Sequence, residues 1–212
     1  MNIILIAPPA AGKGTQSARI CDKFATEHVS TGDLIRNIIK ENSPLGNEIK
    51  EKMNKGLFID NDLILKLISK KLDEDKSFIF DGFPRNIEQA KKFDELLIEK
   101  NKHIDYVLYL KIDKELAKKR IVGRLVCPNC NGVYNFGLDN AQEIPNCQKC
   151  NEKLIKRQDD TEETFENRFN IYEKETSPII SYYKEKGILY EVDSSLSSDK
   201  VFEQIEGIIN ND

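Results

Sequence analysis

The chain has 212 residues, enough for one good-sized domain or a core carrying small insertions. Hydrophobic residues make up 39% and charged residues 32%, which suits a soluble globular protein, and a net charge of −4 argues against a broad nucleic-acid or anionic-membrane surface. No run approaches the ~20 apolar residues of a membrane span. The early apolar run Ile3 to Ala7 is too short, and lacks the basic flank, for a secretory signal. The expected setting is therefore the cytoplasm.

Asn2 to Ala7 is predicted as a buried strand running into a glycine-bearing loop, followed by a helix over Thr15 to Phe24. Ser30-Thr31-Gly32-Asp33 opens a second helix, with a hydroxyl for a cap and an early acid. Further helices are predicted over 47–54 and 63–72. Next come a strand Ser77 to Phe80 ending at Asp81, a helix Asn86 to Lys100, a strand Tyr106 to Ile112 and a helix Lys114 to Arg124. Gly187 to Val192 is the last strand and Ser198 to Asn210 the last helix. Strands alternating with helices imply right-handed crossovers and a parallel sheet covered on both faces, an α/β fold. Cys127 to Cys150 breaks that rhythm with two cysteine pairs, two prolines and two glycines, and reads as an inserted module.

The stretch APPAAGKGT, Ala7 to Thr15, sits between the first strand and the first helix. That is the context of a phosphate-binding loop, in which backbone N–H groups at a helix start face phosphate oxygens and Lys13 adds a mobile charge. Gly12 and Gly14 are present, whereas Ala7 and Ala10 stand where glycines are usual. Alanine there costs little at negative φ and ~1 kcal/mol or more at positive φ. Pro8 and Pro9 stiffen the loop, so negative φ is expected at Ala10. The competing reading is an ordinary strand–helix turn. Asp81, at the end of an apolar strand, is placed to hold a Mg²⁺-bound water beside phosphates or, more plainly, to form an Asp-Gly turn. Arg85 follows within reach of the same crevice.

Seven of the 32 basic residues are arginines: Arg19, Arg36, Arg85, Arg120, Arg124, Arg157 and Arg168. A chain that otherwise takes lysine uses arginine either by chance on its surface or where the guanidinium fork grips phosphate. Cys127, Cys130, Cys147 and Cys150 form C-x₂-C-x₁₆-C-x₂-C, within the range of zinc sites. Four thiolates leave no open coordination position, so a metal there is structural. Disulfides are disfavoured without a secretory signal, and iron is the other ion such a set admits. Cys21 reads as a small buried apolar residue.

STGDLIR (Ser30 to Arg36), DGFPRNIEQA (Asp81 to Ala90), RIVGRLVC (Arg120 to Cys127), KRQDDTEETFENR (Lys156 to Arg168) and SPIISYYKEKG (Ser177 to Gly187) together resemble the adenylate kinases, in order along nearly the whole chain. GKGT is the usual loop form of that family, and the insertion resembles its long-lid, zinc-ribbon bacterial type. The resemblance implies a P-loop core with a parallel sheet of about five strands and reversible transfer of the γ-phosphoryl group of Mg²⁺–ATP to AMP. It divides the chain into core (1–29, 60–122 and 157–212), a helical AMP-binding insertion (30–59) and a zinc-ribbon lid (123–156).

Carried over residue by residue, the resemblance places Ala10, Ala11, Gly12, Lys13, Gly14 and Thr15 on the ATP phosphates, with Arg120, Arg124, Val133 and Tyr134 as further ATP-side contacts. Thr31, Arg36, Leu57, Phe58, Ile59, Gly82, Phe83, Pro84, Arg85 and Gln89 match AMP binding, Gln89 reading the base. Arg157 and Arg168 match arginines that close on the transferred group and AMP, and Lys13, Arg85, Arg124, Arg157 and Arg168 form the catalytic set. Asp81 matches the Mg²⁺-water position, the four cysteines the Zn²⁺ site, and Asp159 and Asp160 a lid–core hinge. Asn61-Asp62 departs from a usual Asp-Glu pair. No general base is expected, because such transfer needs positioning and fixed positive charge. The implied partners are nucleotides only, and the implied state is a monomer. Zinc ribbons also bind nucleic acid, but residues 123–156 carry four basic and three acidic side chains, a weak footprint. A nucleotide-sensing switch is the third reading; the paired arginine sets favour a transferase.

Overall fold

A computed structural model describes residues 1–40, 43, 46, 47, 49, 60–130, 132–135, 145–157 and 160–211, with backbone alone for 32, 33, 36, 37 and 40. β1 (Asn2–Ile6) is buried along its whole length. A strand with no wet face needs cover on both sides, and a parallel sheet between helices supplies it. β1 pairs with β3 (Phe78–Asp81) and β4 (Tyr106–Lys111), while β2 (Glu27–Ser30) flanks β3 and β7 (Leu189–Asp193) flanks β4. The order is β2-β3-β1-β4-β7, every pairing parallel.

Period-2 alternation sorts the core into two layers. Ile4 and Ile6, with Phe78, Phe80 and Val107, pack on Ile68 and Leu72 of α3 (Asn61–Leu72), Phe93 and Leu97 of α4 (Ile87–Glu99), and Ile179 and Tyr183 of α7 (Pro178–Glu185). Ile3 and Leu5, with Ile79, Leu108 and Leu110, face Ile20 of α1 (Lys13–Phe24) and Val201, Phe202 and Ile205 of α8 (Ser198–Asn210). Each such side chain contributes ~1.5–3 kcal/mol on burial. The chain passes from β1 to β2 and β3 on one side, then crosses to β4 and β7 on the other. This reversal opens a crevice at the carboxyl end of β1.

Several boundaries differ from expectation. Ser30 ends β2 and directly precedes α2 (Thr31–Lys40), the helix expected from that stretch. β2 itself has no apolar run, only Val29 buried, and pairing with β3 makes it a strand. α5 (Lys114–Val122) stops before Arg124: the Gly123 N–H makes the closing helical bond, to the Lys119 carbonyl, and Arg124 opens β5 (Arg124–Val126). α6 (Glu162–Ile171), a π-helical turn over Tyr172–Thr176 and α7 occupy a charge-dense stretch where patterning gives no element. The helix expected over 47–54 falls largely outside the described residues.

β5 pairs antiparallel with β6 (Val133–Asn135) in a two-stranded sheet of its own, extended by the bridges Val126↔Ile155 and Asn146↔Lys153. Among the described residues no helix is long and apolar enough to cross a membrane.

Candidate active site

The register Leu5↔Asp81 sets the ends of β1 and β3 side by side. From β1 the chain turns through residues 7–12 into α1, whose N-terminal N–H groups and missing first-turn acid suit it to an anion. Gly12 precedes α1 at φ 83°, a left-handed conformation that glycine adopts without strain. Ala10 is left-handed too, at φ 62°, which corrects the expectation of negative φ. Pro9 and Ala10 are the central residues of a turn closed by the Ala11 N–H on the Pro8 carbonyl at 3.4 Å, and proline at the second place of such a turn favours a left-handed third residue; Ala11 is buried and its carbonyl accepts from the Ser194 hydroxyl at 2.6 Å.

Lys13 leans back to the Ala7 carbonyl, Nζ to O 3.4 Å. Loss of hydration lowers its pKa, the Asp81 carboxylate opposes that, and Arg85 adds to it. Burial pushes the Asp81 carboxyl up, but a hydrogen bond from His28 (Nε2 to Oδ2, 3.3 Å) and the charges of Lys13 and Arg85 outweigh it and hold Asp81 below its usual range. Lys13, Asp81 and Arg85 thus share one electrostatic environment in the crevice.

Gly82 follows at φ 76°, and a Cβ there would stand 3.3 Å from Arg85 Nη2 and 3.5 Å from Thr31 Oγ1. Its carbonyl accepts from Arg85 Nε at 2.8 Å and from the Thr31 hydroxyl at 3.2 Å. Asn86 caps α4 by accepting from the Gln89 N–H. The Gln89 side chain then accepts from the Arg85 N–H at 2.7 Å and donates to Asn61 Oδ1 at 2.7 Å. Thr31, Gly82, Arg85 and Gln89 therefore form one hydrogen-bonded group. Phe83 and Pro84 are joined by a cis peptide, and the Phe83 ring is buried edge-on against Phe93. The Arg36 side chain and residues Leu57, Phe58 and Ile59 lie outside the described residues, as does Asp159.

Arg120 donates to the carbonyls of Ser194 (2.7 Å), Ser195 (3.4 Å) and Leu196 (3.3 Å) in the turn after β7. Arg124 forms a two-pronged pair with the fully buried carboxylate of Asp160, 2.7 and 2.5 Å. Arg157 and Arg168 are exposed, Arg168 on α6. Gly14 and Thr15 are exposed in the first turn of α1, and Val133 is exposed on β6. Sequence reasoning missed His28 and Ser194. His28 is one of only two histidines, which is the signal that could have drawn attention to it; Ser194 has no local signal.

The four cysteine sulfurs all lie within 4.8 Å of one another, Cys127 to Cys150 at 3.3 Å and Cys130 to Cys147 at 3.4 Å, and none is in a disulfide. A tetrahedral ion with ~2.3 Å metal–sulfur bonds needs sulfurs ~3.8 Å apart, so the cluster fits such an ion with small adjustment. The Tyr134 hydroxyl meets Cys147 Sγ at 3.2 Å and helps hold that thiol down at about 6. Cys130, despite an amide hydrogen bond from Gly132, is pushed up to about 12 by Cys147 and its other thiol neighbours. Thiols this close do not all ionise unless a cation joins them.

A family model for adenylate kinase matches residues 5–188. The chain belongs to the adenylate kinase family. It is similar to the adenylate kinases of Archaeoglobus fulgidus (40% identical over 212 residues, 99% of this chain and 98% of the relative) and Clostridium botulinum strain Loch Maree (40% over 215 residues, all of both chains). The adenylate kinase of Thermoanaerobacter sp. strain X514 is 40% identical over 209 residues, 97% and 96% of the two chains. As a member of that family the chain is a nucleoside monophosphate kinase, a nucleotide-binding phosphotransferase, and its parallel sheet and four-cysteine cluster agree with the family's zinc-ribbon lid type.

Proposed function

We propose that the protein transfers the γ-phosphoryl group of Mg²⁺–ATP to AMP, reversibly, giving two ADP and so balancing the adenine nucleotides. The observation that carries this reading is the meeting of Lys13, Asp81 and Arg85 at the carboxyl ends of β1 and β3, beneath the start of α1. Residues 10–15 would cradle the donor phosphates through backbone N–H groups, and Lys13 would follow the moving charge. Asp81, held ionised, would keep a water on Mg²⁺, whose charge offsets that of the phosphates. Arg120, Arg124, Val133 and Tyr134 belong to the donor side.

On the acceptor side, Arg36 and Arg85 would grip the monophosphate. Gln89, already held by Arg85 and Asn61, would present its amide to the base, with Thr31, residues 57–59 and residues 82–84 lining the site. Arg157 and Arg168, brought in by residues 123–156 acting as a lid, would join the transferred group. Closure would keep out the water that otherwise takes the phosphoryl group. The AMP-binding insertion is assigned to residues 30–59 and the remaining chain to the core. The four cysteines would hold a structural Zn²⁺, and the enzyme would act as a cytoplasmic monomer on nucleotides alone.

A donor and acceptor panel tests the assignment: ATP or GTP with each common monophosphate, products resolved directly. ATP with AMP should give the highest kcat/KM. A preference for GTP, or for a monophosphate other than AMP, would leave the fold and family in place and overturn the substrate assignment.

A further inference from the structure

Ala10 holds a left-handed backbone, φ 62°, that an alanine occupies only when its surroundings impose it. The loop favours it through a turn over Pro8 to Ala11, in which Pro9 holds the second place and left-handed Ala10 the third, but the bond that closes this turn is weak. The Ala11 N–H to Pro8 carbonyl bond is long, 3.4 Å, and the Cβ positions of Gly12 and Gly14 meet nothing within 4 Å. The firm contact comes from the other side of the sheet. Ser194, 2% exposed, donates its hydroxyl to the Ala11 carbonyl at 2.6 Å, across 183 positions of sequence. Ser194 is itself fixed twice: its N–H donates to the Lys111 carbonyl at 2.8 Å, and its carbonyl accepts from Arg120 Nη1 at 2.7 Å. The hydroxyl therefore projects from a rigid point at the ends of β4 and β7.

We propose that Ser194 is a positioning residue for the donor-phosphate loop: its hydroxyl, clamped by β4 and Arg120, holds the Ala11 carbonyl and thereby keeps Ala10 in the left-handed form that points the following amides at the nucleotide phosphates. One buried hydrogen bond is of the same order as the cost of left-handed alanine, so its loss is enough to let the loop relax. The plainer alternative is a core hydroxyl that takes the nearest carbonyl. The acceptor argues against it, because that carbonyl belongs to the residue directly after the strained one.

This inference rests on the phosphate-site reading above, and the test separates the two. Affinity for Mg²⁺–ATP by calorimetry, KM for ATP and for AMP, and the thermal midpoint are measured for the parent, Ser194→Ala, Ala10→Gly and the double variant. Ser194→Ala should raise the ATP dissociation constant and KM about tenfold while leaving KM for AMP nearly unchanged. Ala10→Gly removes the strain, so in the double variant it should restore most of the lost ATP affinity, a non-additivity that a merely structural serine would not produce. Ser194→Cys, similar in size but a weak donor, should behave as Ser194→Ala does and serves if the alanine variant does not fold. Unchanged ATP affinity in the Ser194 variants, or a loss that persists in the double variant, overturns the proposal and leaves the phosphate site standing. A parent protein that does not bind ATP overturns both.

Discussion

Arg124, the first residue of β5, and Asp160, two residues before α6, join the two ends of the four-cysteine segment with two charge-assisted hydrogen bonds, 2.7 and 2.5 Å. The pair joins the strand that enters the insertion to the segment that leaves it. Asp160 is wholly buried and Arg124 is partly open to water. Removing the carboxylate leaves a half-buried cation without its partner, so Asp160→Asn should cost about 2 kcal/mol, between the values for exposed and buried pairs. Denaturant unfolding measures this, and a cost indistinguishable from zero would show that water replaces Asp160 freely.

Asp81 gives a pH prediction. Its folded pKa is below the ordinary value of 3.8, so it contributes stability that is fully present above that value and is lost as pH falls through the folded one. The hydrogen bond from His28 opposes the upward push of burial. His28→Ala should therefore lower the thermal midpoint near neutral pH, where that contribution is fully present, with the gap to the parent closing as pH falls through the carboxylate range. Equal midpoints for parent and variant near neutral pH would show that His28 does not stabilise the ionised Asp81.

Arg85→Ala and Arg36→Ala should each lower AMP-dependent turnover by about two orders of magnitude or more, the scale of losing a fixed charge on a transferring phosphoryl group. ATP affinity should change little, since the acceptor side is where these residues are assigned. Steady-state kinetics with separate ATP binding decides it. An equal loss of ATP affinity would place both arginines at the wrong nucleotide.

Cys147→Ser with Cys150→Ser should release one zinc per chain and lower the thermal midpoint by about 5–10 °C, as expected for a closed thiolate site that contributes to folding. The five-stranded core is built on other residues, so it should stay folded and retain part of its activity at low temperature. Elemental analysis with melting and low-temperature turnover checks this. A metal-free protein as heat-stable and active as the parent refutes a structural role, and a folded but inactive one implicates the metal in turnover.

β1, β3 and β4 were legible as strands because they carry short apolar runs bounded by turn residues, the pattern a doubly covered strand requires. β2 was not, because Glu-His-Val-Ser has one buried apolar residue and becomes a strand only by pairing with β3. The loop between strand and helix at GKGT was readable, yet the conformation of Ala10 was not. The group that contacts its neighbour, the Ser194 hydroxyl, lies 183 positions away. The arginines divide in the same manner. Their scarcity beside lysine singles them out, but Arg124 is engaged with Asp160 and Arg120 with the carbonyls of 194–196, pairings that only the fold brings about.

The central claim is direct transfer between two nucleotides held in one crevice. The measurement that tests it most directly follows ATP, AMP, ADP and inorganic phosphate together, by phosphorus NMR, in a mixture of the protein, Mg²⁺, ATP and AMP. The account predicts that ADP appears as ATP and AMP disappear in equal amounts, that omitting either nucleotide stops the reaction, and that ADP alone runs it backwards. Release of inorganic phosphate from ATP at a rate indifferent to AMP would contradict it.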